Sequence, residues 1–204
     1  MPKKILDIGV GQTPYFIRYQ LPLNEADEYV GFDACADCLA DAKKKIFDEP
    51  NVLPVPKILN FVQGDAALLP FANQNFNEVV LSNVLSAPIH WGWNKFIPEH
   101  TIKGFGKEDL FYTSRKKVID EALRVLYPKG RLLIYTDLII YGQHSYEQII
   151  SELQNDKSLV FEILAEEQKR VDLLNCENIK SGTRCYCFMA DLLPKSFVYQ
   201  VTKA

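Results

Sequence analysis

The residues best suited to chemistry lie near the start of the chain, where Asp7-Ile8-Gly9-Val10-Gly11-Gln12-Thr13-Pro14 follows directly on an apolar run. Glycine at positions 9 and 11 lets a backbone turn sharply and approach a ligand closely, because no Cβ intervenes. Thr13 is placed to cap a helix and Pro14 to be its first residue, so the helix would turn its positive end toward the ligand. A second apolar run ends in Tyr29-Val30-Gly31-Phe32-Asp33. Asp33 follows Gly11 at about the 20-residue spacing at which nucleotide-binding α/β folds set an acid on ribose hydroxyls. A carboxylate there accepts from both the 2′ and 3′ hydroxyls, and the ligand this predicts carries a nucleoside.

Two features distinguish which nucleoside. A dinucleotide fingerprint would put a third glycine where Pro14 stands, and it holds a diphosphate on the helix N-terminus. Asp7, two residues before Gly9, would place negative charge near that diphosphate. The same carboxylate suits a ligand with an ammonium and a sulfur cation.

Further candidates fall between 87 and 113, a segment with Pro88, Pro98, three glycines and both tryptophans. His90 can take a proton near neutral pH, and Trp91, Trp93, His100 and Tyr112 could bind a cation or an apolar acceptor; packing of an irregular segment onto the core is the plainer reading of each tryptophan. His144 reads as a surface or capping residue. Cys35-x-x-Cys38 and Cys185-x-Cys187 have spacings compatible with a four-thiolate metal site. Cys185 and Cys187 share one face of an expected strand, however, and Cys35 and Cys38 open an expected helix, so no metal site is expected. The five cysteines are an odd number, and their placement suits reduced thiols better than a disulfide framework.

The elements that must position these residues follow from hydrophobic periodicity. Short apolar runs alternate with longer amphipathic stretches, and strands are expected over Lys3–Ile8, Glu28–Phe32, Ile58–Gln63, Asn77–Ser82, Arg131–Thr136, Leu159–Leu164 and Arg184–Ala190. Residues 38–47, 115–126 and 146–153 space their apolar side chains three and four apart, as helices lying on a sheet do. With right-handed crossovers this rhythm predicts an α/β, Rossmann-like, doubly wound sheet of seven strands, mostly parallel. The whole chain, 1–204, reads as a single domain, with the segment at about 87–113 inserted over the ligand cleft.

Composition sets the outer limits. Of 204 residues 48% are hydrophobic and 24% charged, the balance of a globular domain with a real core. Lysine plus arginine number 23 against 26 acids, a net charge of −3, so no broad basic footprint for nucleic acid is present. No apolar run approaches the roughly 20 residues that span a bilayer, and Met1-Pro2-Lys3-Lys4 precedes no apolar signal core. A cytoplasmic location is expected.

Four later stretches, taken with the glycine loop, form an ordered set that resembles the class I S-adenosylmethionine-dependent methyltransferases, particularly the small-molecule branch that includes ubiquinone-biosynthesis enzymes. Ile5-Leu6-Asp7-Ile8-Gly9-Val10-Gly11 is similar to the first motif of that family, and Val30-Gly31-Phe32-Asp33 with the following helix to the second. Gln63-Gly64-Asp65-Ala66-Ala67-Leu68-Leu69-Pro70-Phe71 resembles the stretch that contacts adenine. Phe76 to Asn83 resembles the fourth strand and its exit, and Glu121 to Ile134 the last common motif.

The resemblance implies an antiparallel last strand and S-adenosyl-L-methionine as cofactor, bound by Asp7, Gly9, Gly11, Asp33, Asp65, Ala66 and Asn83. It implies that Asp65 accepts from the adenine amino group, that the Ala66 amide donates to a ring nitrogen, and that Asn83 lies beside the methionine moiety. By residue type alone Asp65 could equally be a turn residue and Asn83 a helix cap. A small-molecule methyl acceptor, His90 as base and a possible homo-oligomer complete the expectation. Thr13 departs from the family's third glycine and Asn77-Glu78 displace its usual acid in the fourth strand. A non-catalytic binding or scaffold protein with the same fold therefore remains an alternative, as does, with less support, an NAD-dependent oxidoreductase.

Overall fold

The computed structural model describes residues 2–18, 21, 23–48, 55–82, 84–85, 108–136, 143–164 and 197–203. Its elements run β1 (Lys4–Ile8), α1 (Tyr15–Arg18), β2 (Glu28–Asp33), α2 (Ala36–Asp48), β3 (Ile58–Gln63), β4 (Phe76–Ser82), α3 (Glu108–Val125), β5 (Leu126–Thr136), α4 (Gln143–Asn155), β6 (Leu159–Ile163) and β7 (Phe197–Lys203). The seven strands form one sheet in the order β3-β2-β1-β4-β5-β7-β6. The strands from β3 to β5 pair in parallel, whereas β7 runs antiparallel to both β5 and β6. The expected fold class is the one observed.

Alternation along the parallel strands assigns the two faces. Leu6, Ile8, Val30, Phe32, Val79, Leu81, Leu132 and Ile134 point to one side and pack with Ile119, Ala122 and Val125 of α3 and Ile149 and Leu153 of α4. Ile5, Tyr29, Val80, Leu133 and Tyr135 point to the other side, against Tyr15 and Phe16 of α1 and Ile46 of α2. Strands buried on both faces must be apolar at nearly every position. Asp7 and Glu78, which break that rule on β1 and β4, are therefore the residues to explain.

Several boundaries differ from those expected. The seventh strand is Phe197–Lys203, where Tyr199 and Val201 are buried against β5 and β6; the expected strand at Arg184–Ala190 lies outside the described residues. The alternation Tyr199-Gln200-Val201-Thr202 is the strand signal in this stretch, setting Tyr199 and Val201 on the buried face. Helix α3 begins at Glu108, seven residues before the expected start, so Tyr112 is helical. Strand β5 begins at Leu126, with a register shift opposite Phe76–Glu78 and a left-handed Lys129 (φ 62°) before Gly130.

Two arginines on α3 hold loops at opposite ends of the sheet, Arg124 at the amino end of β4 and Arg115 beyond its carboxyl end. The Arg124 guanidinium donates to the carbonyls of Leu69 (3.0 Å) and Phe71 (2.8 Å) and to Asn73 Oδ1 (2.8 Å), while Glu121 pairs with it and accepts from the Leu69 amide at 2.8 Å. That clamp fixes the connection after β3. Arg115 is fully buried, donates from Nε to the Leu85 carbonyl at 2.7 Å and lies over the Tyr146 ring. It thereby secures the chain leaving β4. Arg115→Met keeps the packing volume but strands a buried carbonyl, and a loss of about 2 kcal/mol in urea unfolding is expected.

Candidate functional site

The carboxyl ends of four strands share one edge, because Ile8 pairs with Phe32 and Leu81 while Asp33 pairs with Gln63. The chain winds outward from β1 through β2 to β3 and then returns to β4 on the opposite side, so a crevice opens between β1 and β4. The glycine loop stands there.

Gly9 and Gly11 both have positive φ, 76° and 56°. A Cβ on Gly9 would overlap Cγ2 of Val84, just beyond the end of β4, so this position excludes a side chain by contact as well as by conformation. Its amide donates to the Phe32 carbonyl at 2.8 Å, and the Gly11 amide donates to Asp33 Oδ2 at 2.8 Å. The loop is thus pinned to the end of β2, and the acid expected to read a ribose also holds the glycine that would face it.

Asp7 is the centre of the arrangement. It is fully buried, and its Oδ2 accepts from the Tyr15 amide (2.9 Å) and the Tyr29 hydroxyl (2.6 Å). Its Oδ1 is buried with no partner among the described residues. Burial pushes the Asp7 carboxyl up to about 6, against the pull of its hydrogen bonds from Tyr29 and Tyr15 and of the charge on Arg18. Burial likewise raises Tyr15 and Tyr29 well above the usual phenol range, so both remain protonated donors. Tyr15 Oη continues the network to Glu78 Oε1 (3.2 Å), and Glu78 Oε2 pairs with Arg131. Glu78 on β4 is thus a buried ion-pair partner.

The helix cap is a correction to the reading from sequence. Thr13 does not cap α1; its Oγ1 accepts from Lys45 Nζ at 3.3 Å. The Asp7 carboxylate instead receives the first free amide of the helix, and Pro14 sits one place earlier than expected, its carbonyl accepting from the Arg18 amide at 2.9 Å. Asp7 precedes the helix by eight residues, so no capping pattern in the sequence points to it. With only four residues, α1 offers a ligand little dipole of its own.

Arg18, at the end of α1, was not singled out from sequence. Its Nη1 donates to Ser82 Oγ at 3.0 Å and its Nη2 to the Val10 carbonyl at 3.4 Å, close to where a Cβ on Gly11 would be. A guanidinium is therefore set beside the loop, across the crevice from β1 to β4. A lone basic residue seven places after a glycine carries no signal by spacing; only the fold turns it back.

Of the remaining candidates, Asp65 is exposed at the exit of β3. Its Oδ1 accepts from the Ala67 amide at 2.9 Å and its carbonyl from the Leu68 amide, so it makes the turn that residue type alone allowed. Ala66 packs partly buried beside it. Asn83, His90, Trp91, Trp93, His100, Cys185 and Cys187 lie outside the described residues. Tyr112 reaches Glu152 on α4 (2.8 Å), across the helix layer and not toward the crevice. Cys35 and Cys38 are joined in a disulfide with Cα atoms 5.2 Å apart, in place of the expected reduced thiols. No cluster suited to a metal ion occurs among the described residues, nor does any helix among them have the length and apolarity to cross a membrane.

A raised acid favours its protonated form in the folded state. Stability therefore falls as pH rises from about 4 to about 6, and a charged Asp7 costs about 3 kcal/mol above that. Asp7→Asn removes the charge at constant shape. Relative to wild type, the variant is expected to gain about 3 kcal/mol in urea unfolding between about pH 4 and about pH 7, with other titrations cancelling in the difference.

Known proteins share this fold at low identity. Residues 6–91 match the family model described as a methyltransferase domain. No curated protein matches the chain in sequence. Among solved structures, an S-adenosylmethionine-dependent methyltransferase from Methanosarcina mazei aligns over 99% of this chain and 92% of its own, with 15% identity and a TM-score of 0.51. The CurJ carbon methyltransferase aligns over 100% of this chain and 49% of its own, with 15% identity and a TM-score of 0.57. The [4+2]-cyclase SpnF aligns over 99% of this chain and 75% of its own, with 12% identity and a TM-score of 0.58. Identities this low establish a common fold.

Proposed function

We propose that this chain is an S-adenosylmethionine-dependent methyltransferase of class I that acts on a small molecule by in-line methyl transfer, a reading supported by the sheet order and by the methyltransferase-domain model matched over residues 6–91. The observation that carries the reading is the Gly9-Val10-Gly11 loop, left-handed at both glycines and tied to Asp33 Oδ2, beside a buried Asp7 with one oxygen unpartnered among the described residues. The residues fit the cofactor. A buried, unsatisfied carboxylate oxygen is costly until a donor reaches it, and the ligand's ammonium, directly or through one water, is such a donor.

In this reading Asp33 accepts from the ribose hydroxyls with the lone pairs its loop contacts leave open. Asp65 and the Ala66 amide take the adenine edge, and Asn83 lies by the methionine moiety. Arg18 answers the methionine carboxylate, a planar donor set suited to a carboxylate. The cofactor supplies a methyl group already activated by its sulfonium, so the chain's work is alignment and exclusion of water. His90, in the segment about 87–107 that we place over the crevice of a single domain, takes the acceptor's proton where the acceptor arrives protonated. The net charge of −3 supports a small-molecule acceptor over a nucleic acid, and a homo-oligomer working in the cytoplasm fits the same reading.

The likeness to a [4+2]-cyclase is a reminder that one fold serves several reactions, and cofactor binding is tested apart from turnover. In calorimetry S-adenosylhomocysteine is expected to bind and NADH not, with Asp33→Ala weakening the former by about 10- to 100-fold, the value of one or two charged hydrogen bonds. Binding of NADH alone would overturn the assignment. Arg18→Ala is expected to weaken S-adenosylhomocysteine about tenfold while leaving 5′-methylthioadenosine, which lacks the carboxylate, unchanged. An equal loss for both ligands would make Arg18 a loop support only.

A further inference from the structure

The Cys35-x-x-Cys38 pair begins two residues beyond Asp33, and nothing in the transfer reaction uses it. The two cysteines are joined across the first turn of α2, a helix of 13 residues. Cys35 occupies the cap position, since its carbonyl accepts from the Leu39 amide at 3.2 Å, and its sulfur accepts from the Cys38 amide at 3.2 Å. Both cysteines are half-buried, so a reagent can reach them. The ring they close holds four residues, too short to restrain much of the unfolded chain, which argues against a purely structural staple.

From these observations we infer that Cys35 and Cys38 are a redox-active thiol–disulfide site whose state sets the affinity of the adjoining nucleoside pocket. Cys35 is the attacking thiol. Once reduced, its sulfur lies at the positive end of α2 and keeps the Cys38 amide as a donor, and both favour the thiolate. Cys38, on the inner turn, resolves. With a low-molecular-weight disulfide such as oxidised glutathione as oxidant, the Cys35 thiolate attacks one sulfur and expels one glutathione thiolate. The Cys38 thiolate then attacks the Cys35 sulfur of the mixed disulfide and expels the second. Two protein thiols and one glutathione disulfide become one protein disulfide and two glutathione thiols, a two-electron exchange with nothing left over.

Coupling to the pocket runs through one hydrogen bond. The Cys35 amide donates to Asp33 Oδ1 at 2.9 Å, while Asp33 Oδ2 holds the Gly11 amide. The cross-link fixes the turn that presents the Cys35 amide, and so fixes the Asp33 carboxylate. Reduction frees that turn, and a bound ribose must then order it again. Oxidation therefore tightens nucleoside binding, and by reciprocity a bound nucleoside makes the disulfide harder to reduce by the same factor. This coupling rests on the proposed cofactor site; the thiol exchange does not.

The test uses the full chain equilibrated in glutathione buffers, with free thiols alkylated and the peptides weighed. Cys35 and Cys38 are expected to oxidise and reduce reversibly as a pair. Cys38→Ser should accumulate glutathione on Cys35 quickly, and Cys35→Ser, whose new hydroxyl still caps α2, should take it up on Cys38 at least about tenfold more slowly. Reduction should weaken S-adenosylhomocysteine at least about threefold in calorimetry, and the double serine variant should match the reduced form in every buffer. Equal rates at the two cysteines, or a pair that stays oxidised until the protein unfolds, would overturn the exchange site. Affinity independent of redox state would overturn the coupling. If neither form binds S-adenosylhomocysteine, the cofactor reading and the coupling fail together, and the exchange site stands or falls on the alkylation data.

Discussion

The carboxylate of Asp7 is the constraint on which the rest of the site depends. A charge at the centre of an apolar sheet is tolerated only when strong donors surround it, and here Tyr29 on β2 and the backbone of Tyr15 at the head of α1 supply them. Because each donor comes from a different element, satisfying one carboxylate fixes the spacing of β1, β2 and α1 together. The glycine loop has to bridge that spacing in few residues, which is why it uses two left-handed glycines. Tyr15 then carries the network through Glu78 to Arg131, tying β4 and β5 to the same centre.

This economy has a cost. Asp7 is held near its own titration range with one oxygen unpartnered among the described residues, an electrostatic cost at neutral pH that a cationic ligand would relieve. Strain of this kind is common where a site is built to be completed by its ligand. The neighbouring groups are arranged accordingly: Arg18 lies across the loop, and Asp33 divides its two oxygens between Gly11 and Cys35. The loops outside this centre are held by ordinary means. Arg124 and Glu121 clamp the exit of β3, and Arg115 anchors the chain beyond β4.

Much of this was legible in the order of residues. Strand, glycine loop, strand and acid lie within one stretch of chain, and their periodicity and spacing suffice to place them on one edge of a parallel sheet. The same local logic identified Asp33, Gly9 and Gly11, and the fold class followed from the alternation of apolar runs with amphipathic helices. It misled at the ends of elements. Phe197–Lys203 forms a strand that was not expected, while the expected Arg184–Ala190 lies outside the described residues, and α3 starts a full two turns early, because helix termini are decided by caps and tertiary contacts more than by periodicity.

What the sequence determined by itself is the fold, the glycine loop and the acid after β2, since each depends on residues close together in the chain. What only the tertiary structure decided is which group caps α1, where Arg18 points, and that Glu78 is a buried partner of Tyr15 and Arg131. Those contacts join residues from eight to more than sixty positions apart. Sequence spacing carries no information on such pairs until the sheet brings their strands together, and the burial that shifts Asp7 exists only once it has.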